Sequence, residues 1–284
     1  MTFGRSISLG LVWAWLAALS IVPLAIILAI ALARPADTVP PFQFAIDPGN
    51  FAFAATDGLY RTAFWLSLRT AFVSTVICLA IGYPMALGIA QAAERWRGVL
   101  LLAMMLPFWT GFLMRINAWI GMLRDDGWIN AALTFLGFAP ARLLYTDTAL
   151  FIGMVYTYLP FMVLPVYARL AKLDPALLEA AADLGASPFR AFLRVTLPLS
   201  LPGIAAGVAL VFIPCVGEFV IPDLLGGPGA QLIGRVLWEE FFQNRDWPMA
   251  ASLAWLLLVV LVVLPLCVRA AARIGRSSSI EHRV

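Results

Sequence analysis

The sequence is short of charged residues, and this shortage decides its broad class. Charged residues make up 12% of the 284 positions, against roughly a quarter in soluble domains. Hydrophobic residues reach 62%, and the mean hydropathy is +0.92. Such a chain has too little polar surface to cover a water-facing globule. We therefore expect a membrane protein with no separate soluble catalytic domain.

Residues that commonly build catalytic and metal centres are also scarce. The only histidine, His282, lies in the carboxyl-terminal tail, and the cysteines, Cys78, Cys215 and Cys267, lie in apolar runs without metal-ligand spacing. No GxxxxGK[ST] phosphate loop, HExxH, GxSxG or paired intramembrane aspartates occur. We therefore expect no metal, no cofactor and no enzyme activity, and any ATP chemistry must come from a partner chain.

The net charge of +3 does not indicate nucleic-acid binding. Nineteen basic residues are scattered along the chain, and Lys172 is the single lysine. A nucleic-acid surface would need a basic cluster. The distribution instead follows membrane topology, so we expect no nucleic-acid partner.

Six apolar segments are long enough to cross a hydrocarbon core of about 30 Å, which needs about 20 residues per helix. The sequence thus predicts an all-α membrane protein with six transmembrane helices, at 11–32, 63–90, 98–123, 149–170, 203–222 and 249–268. The first segment, with Arg5 before it and Ala31-Leu32-Ala33 at its end, could instead be a cleaved signal. Its apolar run is too long for a signal core, so we favour an uncleaved helix.

The basic residues set the predicted orientation. With a cytoplasmic amino terminus, the inner segments hold the larger share of them, including Lys172, Arg190 and Arg194. Cytoplasmic loops of membrane proteins carry such an excess. We expect a multi-pass protein of the bacterial inner membrane with both termini in the cytoplasm. Most acidic residues fall outside, which suits a cationic solute, although solvated loops are often acidic for other reasons.

The polar stretch between the fourth and fifth predicted spans contains residues that favour the start and the end of a helix. Asp174 is a good N-cap, Pro175 suits the first helical position, and Gly185 suits a left-handed C-cap. The stretch therefore predicts a short helix from Pro175 to about Leu184. Its acidic residues are spaced four apart, so one face of the helix is acidic.

This stretch resembles the EAA loop of ABC importer permeases. Glu179-Ala180-Ala181 is followed after three residues by Gly185 and after nine more by Val195-Thr196-Leu197-Pro198, where the family has Ile-x-Leu-Pro. The resemblance implies a type I importer permease fold in which the short helix is a coupling helix docking into an ATPase subunit. The implied ATPase-coupling residues are Glu179, Ala180, Ala181, Asp183, Gly185, Leu197 and Pro198. The alternative is a chance amphipathic linker.

The resemblance also implies an organisation and partners. It predicts an amino-terminal helix and periplasmic loop over 1–62, a five-helix permease domain over 63–270 and a cytoplasmic tail over 271–284. The implied partners are a second homologous permease, a cytoplasmic ATPase dimer, a periplasmic polyamine-binding protein and membrane lipid. A membrane-embedded enzyme is the first alternative class, and it would need one of the catalytic motifs that are absent. A stand-alone secondary transporter is the second, and it would be expected to show inverted repeats and would not need an EAA loop.

The stretches 107–130, 156–204 and 217–250 resemble the polyamine branch of these permeases, and the putrescine-system permease most closely. The implied cargo is a putrescine- or spermidine-type polyamine. The first two stretches also recur in relatives that move other solutes. Ferric ion, sulfate, molybdate or an aminophosphonate is therefore the alternative cargo, and Arg69 and Arg115 keep an anion pathway open.

A polyamine pathway needs carboxylates for the ammonium groups and aromatic faces for the cation and its methylene spacer. Glu218 lies near the outer end of the fifth predicted span, and an ionisable residue there is a functional candidate. An ion pair with Arg69 or Arg115 is its alternative role. The further candidates are Asp223, which could also be a solvated cap, and the possible interfacial aromatics Trp109, Trp119, Tyr156 and Tyr158.

A glycine-rich turn at 226–229 precedes an amphipathic segment at 231–242. Glycine and proline give this loop a defined non-helical shape. The segment could be a docking site for the periplasmic receptor or a re-entry helix packed on the permease, and the sequence leaves both open.

Overall fold

The computed structural model describes residues 2–263, with side chains from residue 9 onward. Within that range the chain is mostly α-helical, and its only strands are a short antiparallel pair, β1 (Arg34–Pro35) and β2 (Phe42–Gln43). The chain divides into two compact units. One contains the residues up to Phe64 and those from Val236 on, and the other is Trp65–Arg235.

The helices follow in chain order as α1 (Thr2–Ala31), α2 (Gly49–Thr56), α3 (Gly58–Gln91), α4 (Glu94–Met105), α5 (Phe112–Leu123), α6 (Trp128–Phe135), α7 (Asp147–Leu170), α8 (Ala176–Asp183), α9 (Pro188–Ala191), α10 (Leu197–Val216), α11 (Val220–Leu225), α12 (Ile233–Trp238) and α13 (Trp247–Val263). A 3-10 turn, Leu106–Trp109, follows α4 directly. Two π-helical turns, Phe192–Thr196 and Glu239–Gln243, precede α10 and follow α12.

Four helical stretches among the described residues are long and apolar enough to cross a membrane: Leu9–Ala31, Gly58–Gln91, Asp147–Leu170 and Pro188–Val216. They confirm the predicted first, second and fourth spans. The fifth starts earlier than predicted, because α9, the π-turn and α10 form one continuous stretch. It also ends at Val216, before the predicted end at Pro222. The all-α membrane fold is confirmed.

The predicted third span corresponds to two helices that meet at a sharp bend. Glu94–Trp109 and Phe112–Phe135 meet at 89°. Pro107 lacks a backbone donor, Thr110 has the extended backbone angles that end the first helical stretch, and Gly111 is the N-cap of α5. Counted as one bent span, the pair brings the described candidates to five. The sixth predicted span corresponds to α13, and its last residues lie outside the described range.

In the unit Trp65–Arg235, α7 is the central helix and packs closely along α10. A Cβ atom on Gly207 of α10 would lie 2.7 Å from Met162 Sδ, and one on Gly203 would lie 2.7 Å from the Pro165 carbonyl oxygen. Small residues four apart let membrane helices approach closely in this way. On α7, Gly153 makes the corresponding close approach to Leu225 of α11. Helix α7 thus fixes the positions of α10 and α11.

In the other unit, polar contacts hold the end of α1. The Asn50 side-chain amide donates to the carbonyl oxygens of Ala31 (3.0 Å) and Ala33 (2.8 Å). Asp47 forms a 2.9 Å ion pair with Arg34. The backbone N–H of Gly49, followed by the Arg34 guanidinium, holds the pKa of Asp47 below its ordinary value. The loop after α1 is therefore ordered by its own side chains.

Candidate functional site

The predicted coupling helix is α8, and its bounds agree with the sequence prediction to within one residue at each end. Pro175 occupies the N-cap position, and Asp174 Oδ1 accepts a hydrogen bond from the Ala176 N–H at 3.0 Å. The carboxylate thus satisfies one of the free donors at the start of the helix. The sequence correctly predicted the start of this helix, although Asp174 caps it from the position before the N-cap.

The carboxyl end of α8 has a left-handed glycine. Gly185 has φ = +78°, and its N–H donates to the Ala182 carbonyl oxygen at 2.8 Å. The Ala186 N–H donates to the Ala181 carbonyl oxygen at 3.0 Å. These two bonds form a Schellman motif, which requires the left-handed residue that glycine adopts without a Cβ penalty. The predicted C-cap is confirmed.

The surface of α8 is open. No residue of the helix is buried, Glu179, Ala180 and Asp183 are exposed, and Ala181 is half-buried. The apolar side chain of Leu184, just after the helix, is 90% exposed. A short helix that exposes alanine, leucine and two carboxylates together is suited to docking against another protein.

Leu197 and Pro198, the last residues of the EAA-like stretch, lie outside α8. They begin α10, directly after the π-turn, with Leu197 half-buried and Pro198 exposed. Helix α8 contacts α9 and the π-turn. The motif therefore consists of an exposed helix and the start of a membrane span, joined by the π-helical turn Phe192–Thr196.

Glu218 lies between α10 and α11, and both of its carboxylate oxygens are engaged. Oε1 accepts hydrogen bonds from the N–H groups of Phe219 (3.1 Å) and Val220 (3.0 Å), so it caps α11. Oε2 accepts a short hydrogen bond from the Tyr158 hydroxyl. Tyr158, on α7, is buried. Two residues predicted separately as pathway candidates are therefore in direct contact.

The predicted alternative partner for Glu218 is wrong. Among the described residues, Glu218 makes no ion pair with Arg69 or Arg115. Asp223 lies in α11, and its Oδ1 is 3.5 Å from Nη2 of Arg235. Its side chain remains 56% exposed, so it is a helical surface residue in a weak ion pair, where the sequence suggested a solvated cap or a ligand.

The other aromatic candidates separate into two places. Trp119 of α5 and Tyr156 of α7 meet edge to face, with ring centroids 5.3 Å apart. They line a cavity of about 310 Å³ together with Thr110, Met114, Arg115, Ala118 and Met122. Trp109 lies in the 3-10 turn, 80% exposed, and does not line this cavity.

Sequence reasoning did not place Arg115 in this cavity. Its guanidinium carbon lies 4.7 Å from the ring centroid of Phe108 and 5.8 Å from that of Phe112. The apolar run around Arg115 identified it as a cation within a span, but its neighbours arise from the bend between α4 and α5. No sequence signal predicted that bend angle.

The segment after the glycine-rich turn begins by packing on α3. Residues 226–230 are non-helical, as predicted. Leu232 and Ile233 are fully buried, and the Ile233 N–H donates to Ser67 Oγ of α3 at 2.7 Å. Of the two alternatives for this segment, the packed re-entry helix describes these residues.

Comparison with known proteins agrees with this architecture. The family described as "Binding-protein-dependent transport system inner membrane component" matches residues 2–275. The spermidine/putrescine transport system permease protein PotB of Haemophilus influenzae is 39% identical over 92% of this chain and 91% of its own length. The protein of the same name from Escherichia coli K12 is 41% identical over 77% of this chain and 80% of its own length.

A solved structure shares the fold. A chain of a bacterial ABC transporter that imports the acidic polysaccharide alginate aligns with a TM-score of 0.73 at 18% identity, covering 95% of this chain and 94% of that one. At this identity the match shows the fold alone. With the family match over nearly the whole chain, the chain belongs to the binding-protein-dependent transport system inner membrane components, as a non-catalytic permease subunit of an ABC importer.

Proposed function

We propose that this subunit translocates putrescine- or spermidine-type polyamines across the inner membrane in an ATP-driven importer. The observation that carries the proposal is the carboxylate of Glu218, held between the buried Tyr158 and the start of α11. The names of the two reported relatives support the same cargo. The choice between putrescine and spermidine stays a prediction.

The geometry around Glu218 suits an ammonium ligand. Backbone N–H groups hold Oε1, which fixes the direction of the carboxylate, while among the described residues Oε2 is bound only by the Tyr158 hydroxyl. An arriving ammonium would form an ion pair with Oε2, which adds the attraction between opposite charges to a hydrogen bond. The faces of Trp119 and Tyr156 would take the second ammonium or the methylene spacer. Asp223 and Trp109 are exposed, so they would meet the solute away from the Glu218 carboxylate.

The exposed surface of α8, which we call the coupling surface, would connect ATP hydrolysis to the site around Glu218. In the proposed assembly, α8 docks into one subunit of a cytoplasmic ATPase dimer, and a periplasmic polyamine-binding protein delivers the solute. A second homologous permease completes the pathway. A force on α8 would pass through the continuous stretch Pro188–Val216, whose far end is two residues from Glu218. Both termini and α8 would lie on the cytoplasmic side.

The cavity beside α5 favours a second candidate cargo. Arg115 lines it without an ion-pair partner among the described residues. An oxyanion such as sulfate or molybdate would be attracted by such a cation, and ferric ion or an aminophosphonate remain further cargoes for this architecture. Arg69, the other arginine considered for an anion pathway, is exposed and lines a separate small cavity with Asp147.

Uptake of labelled putrescine by cells lacking this chain, with and without its restoration, tests the proposal. Restored uptake should be blocked by spermidine and not by ferric ion, sulfate or molybdate. Glu218→Gln should reduce uptake at low putrescine concentration by about tenfold, which corresponds to about 1.4 kcal/mol of lost ionic interaction. Asp223→Asn, a matched change at an exposed carboxylate, should keep near wild-type uptake.

Uptake that does not depend on this chain would remove polyamines as cargo and leave the family assignment unchanged. Competition by sulfate or molybdate alone would replace the proposed cargo with an anion. Equal losses in Glu218→Gln and Asp223→Asn would remove the special role of Glu218 in the pathway.

A further inference from the structure

Arg115 lies in a bent membrane segment and has no ion-pair partner within the part of the chain that the structure describes. Its Nε and Nη1 atoms are buried and have no hydrogen-bond partner among the described residues. A guanidinium carries five N–H donors and remains charged. Cation–π contacts with Phe108 and Phe112 offset part of the cost of burial, but they leave the Nε and Nη1 donors without an acceptor among the described residues. An anionic group is therefore missing from its surroundings.

The cavity beside Arg115 provides no such group. Its lining, given above, contains polar hydroxyl and indole groups, two methionines and an alanine, but no carboxylate. The acidic residues that follow α5, Asp125 and Asp126, line a different cavity, where Asp126 pairs with Arg124 at 3.1 Å. Within the part of the chain that the structure describes, the anion must come from another molecule.

The surface around the cavity is apolar and open. Leu106, Trp109, Leu113 and Met114 are 57%, 80%, 58% and 75% exposed. Exposed aromatic residues, methionine and arginine together are enriched at the centres of protein interfaces. Lipid tails could cover the apolar side chains, but they offer nothing to a guanidinium. A protein surface that carries one carboxylate would satisfy both.

We propose that this cavity receives a carboxylate side chain from the second permease subunit, so that Arg115 forms an ion pair between the two subunits. The surface Leu106–Met114 is then the contact region around that pair. This inference rests on the proposed function, which includes a second permease. The pair also has a consequence for cargo, because an uncompensated guanidinium beside the pathway would repel a dication, and the partner carboxylate removes that repulsion.

Cross-linking in the complete transporter, purified through a tag on this chain, tests the contact. A photoreactive phenylalanine analogue in place of Met114 should form an adduct with a different chain of the same permease family, at a peptide containing Asp or Glu. The same analogue in place of Trp13, which is 69% exposed on α1, should form no adduct with that chain. Mass spectrometry identifies both products.

Charge reversal tests the ion pair. Arg115→Glu should reduce the second permease recovered with this chain by at least about tenfold, the change that about 1.4 kcal/mol produces in an equilibrium constant. Arg61→Glu, a matched reversal at an exposed arginine of α3, should keep wild-type recovery. Replacing the cross-linked carboxylate of the second permease by arginine should restore recovery in Arg115→Glu, which a merely misfolded variant could not show.

An adduct of the Met114 analogue with lipid or with a second copy of this chain overturns the proposal, as does unchanged recovery in Arg115→Glu. Putrescine uptake by the unmodified transporter separates this failure from that of the proposed function. Putrescine uptake together with a lipid adduct would support the polyamine cargo and contradict the contact between the two permease subunits. An adduct with the second permease in a transporter that takes up no polyamine would support the contact and contradict the cargo.

Discussion

Tyr158 on α7 and Glu218 between α10 and α11 are joined by a hydrogen bond from the tyrosine hydroxyl to Oε2 of the carboxylate. The other carboxylate oxygen caps α11. Glu218 is therefore tied to two helices that also pack together through Gly153 and Leu225. The position of this carboxylate depends on the α7–α11 contact, which makes the hydrogen bond a measurable part of the stability of the site.

Tyr158→Phe should destabilise the protein by about 1–3 kcal/mol, because it leaves a half-buried charged acceptor without its side-chain donor. The change is measured as a lower midpoint of thermal unfolding in detergent. Tyr156→Phe is the matched control on the same helix, since the Tyr156 hydroxyl has no hydrogen-bond partner among the described residues. Equal midpoints for the two variants would show that the Tyr158–Glu218 bond contributes nothing to stability.

Gly185→Asp should abolish putrescine uptake while the protein remains in the membrane. Aspartate at φ = +78° carries a steric cost of about 1–2 kcal/mol and adds a charge at the end of the exposed α8. Gly137 offers a matched control, because it ends α6 with φ = +83° and the same pattern of two carbonyl bonds. Gly137→Asp should therefore retain most uptake, with membrane levels of both variants measured by immunoblot.

Wild-type uptake by Gly185→Asp would contradict the placement of the coupling surface on α8. Equal loss of uptake in both variants would instead assign the defect to backbone strain. The comparison thus separates the conformational requirement for glycine from its location.

Gly203→Val should lower the amount of folded protein, since its Cβ would lie 2.7 Å from the Pro165 carbonyl oxygen. Backbone atoms cannot move aside as a flexible side chain can, and overpacking of this kind typically costs about 1–3 kcal/mol. Gly88→Val places the same side chain on α3, where a Cβ meets nothing within 4 Å. Thermal unfolding should distinguish the two variants. Similar midpoints would mean that α7 and α10 can separate without cost.

Local signals explain which features the sequence predicted well. The helix α8 was located to within one residue because Asp174, Pro175 and Gly185 act on their own backbone neighbours. The Tyr158–Glu218 bond was not predicted, although both residues were candidates. They are 60 positions apart, and their contact depends on how α7 meets α11.

The bend in the third span is a feature that local sequence signals did not predict. Its hydrophobicity predicted a membrane segment, and Pro107 was visible in the sequence, but proline alone does not determine whether a helix kinks slightly or turns by 89°. The placement of Arg115 beside the cavity follows from that angle. The cavity and its unpaired cation therefore became visible only in three dimensions.

The side of the membrane on which α8 lies is predicted from basic residues and can be measured directly. In a background with Cys78, Cys215 and Cys267 replaced by alanine, Ala182→Cys on exposed α8 and Ala141→Cys in the exposed loop before α7 place single thiols in the two regions. A membrane-impermeant thiol reagent should label Ala141→Cys in spheroplasts and Ala182→Cys only in inverted vesicles. The reverse pattern would put α8 on the face without ATP, where it could not couple to an ATPase.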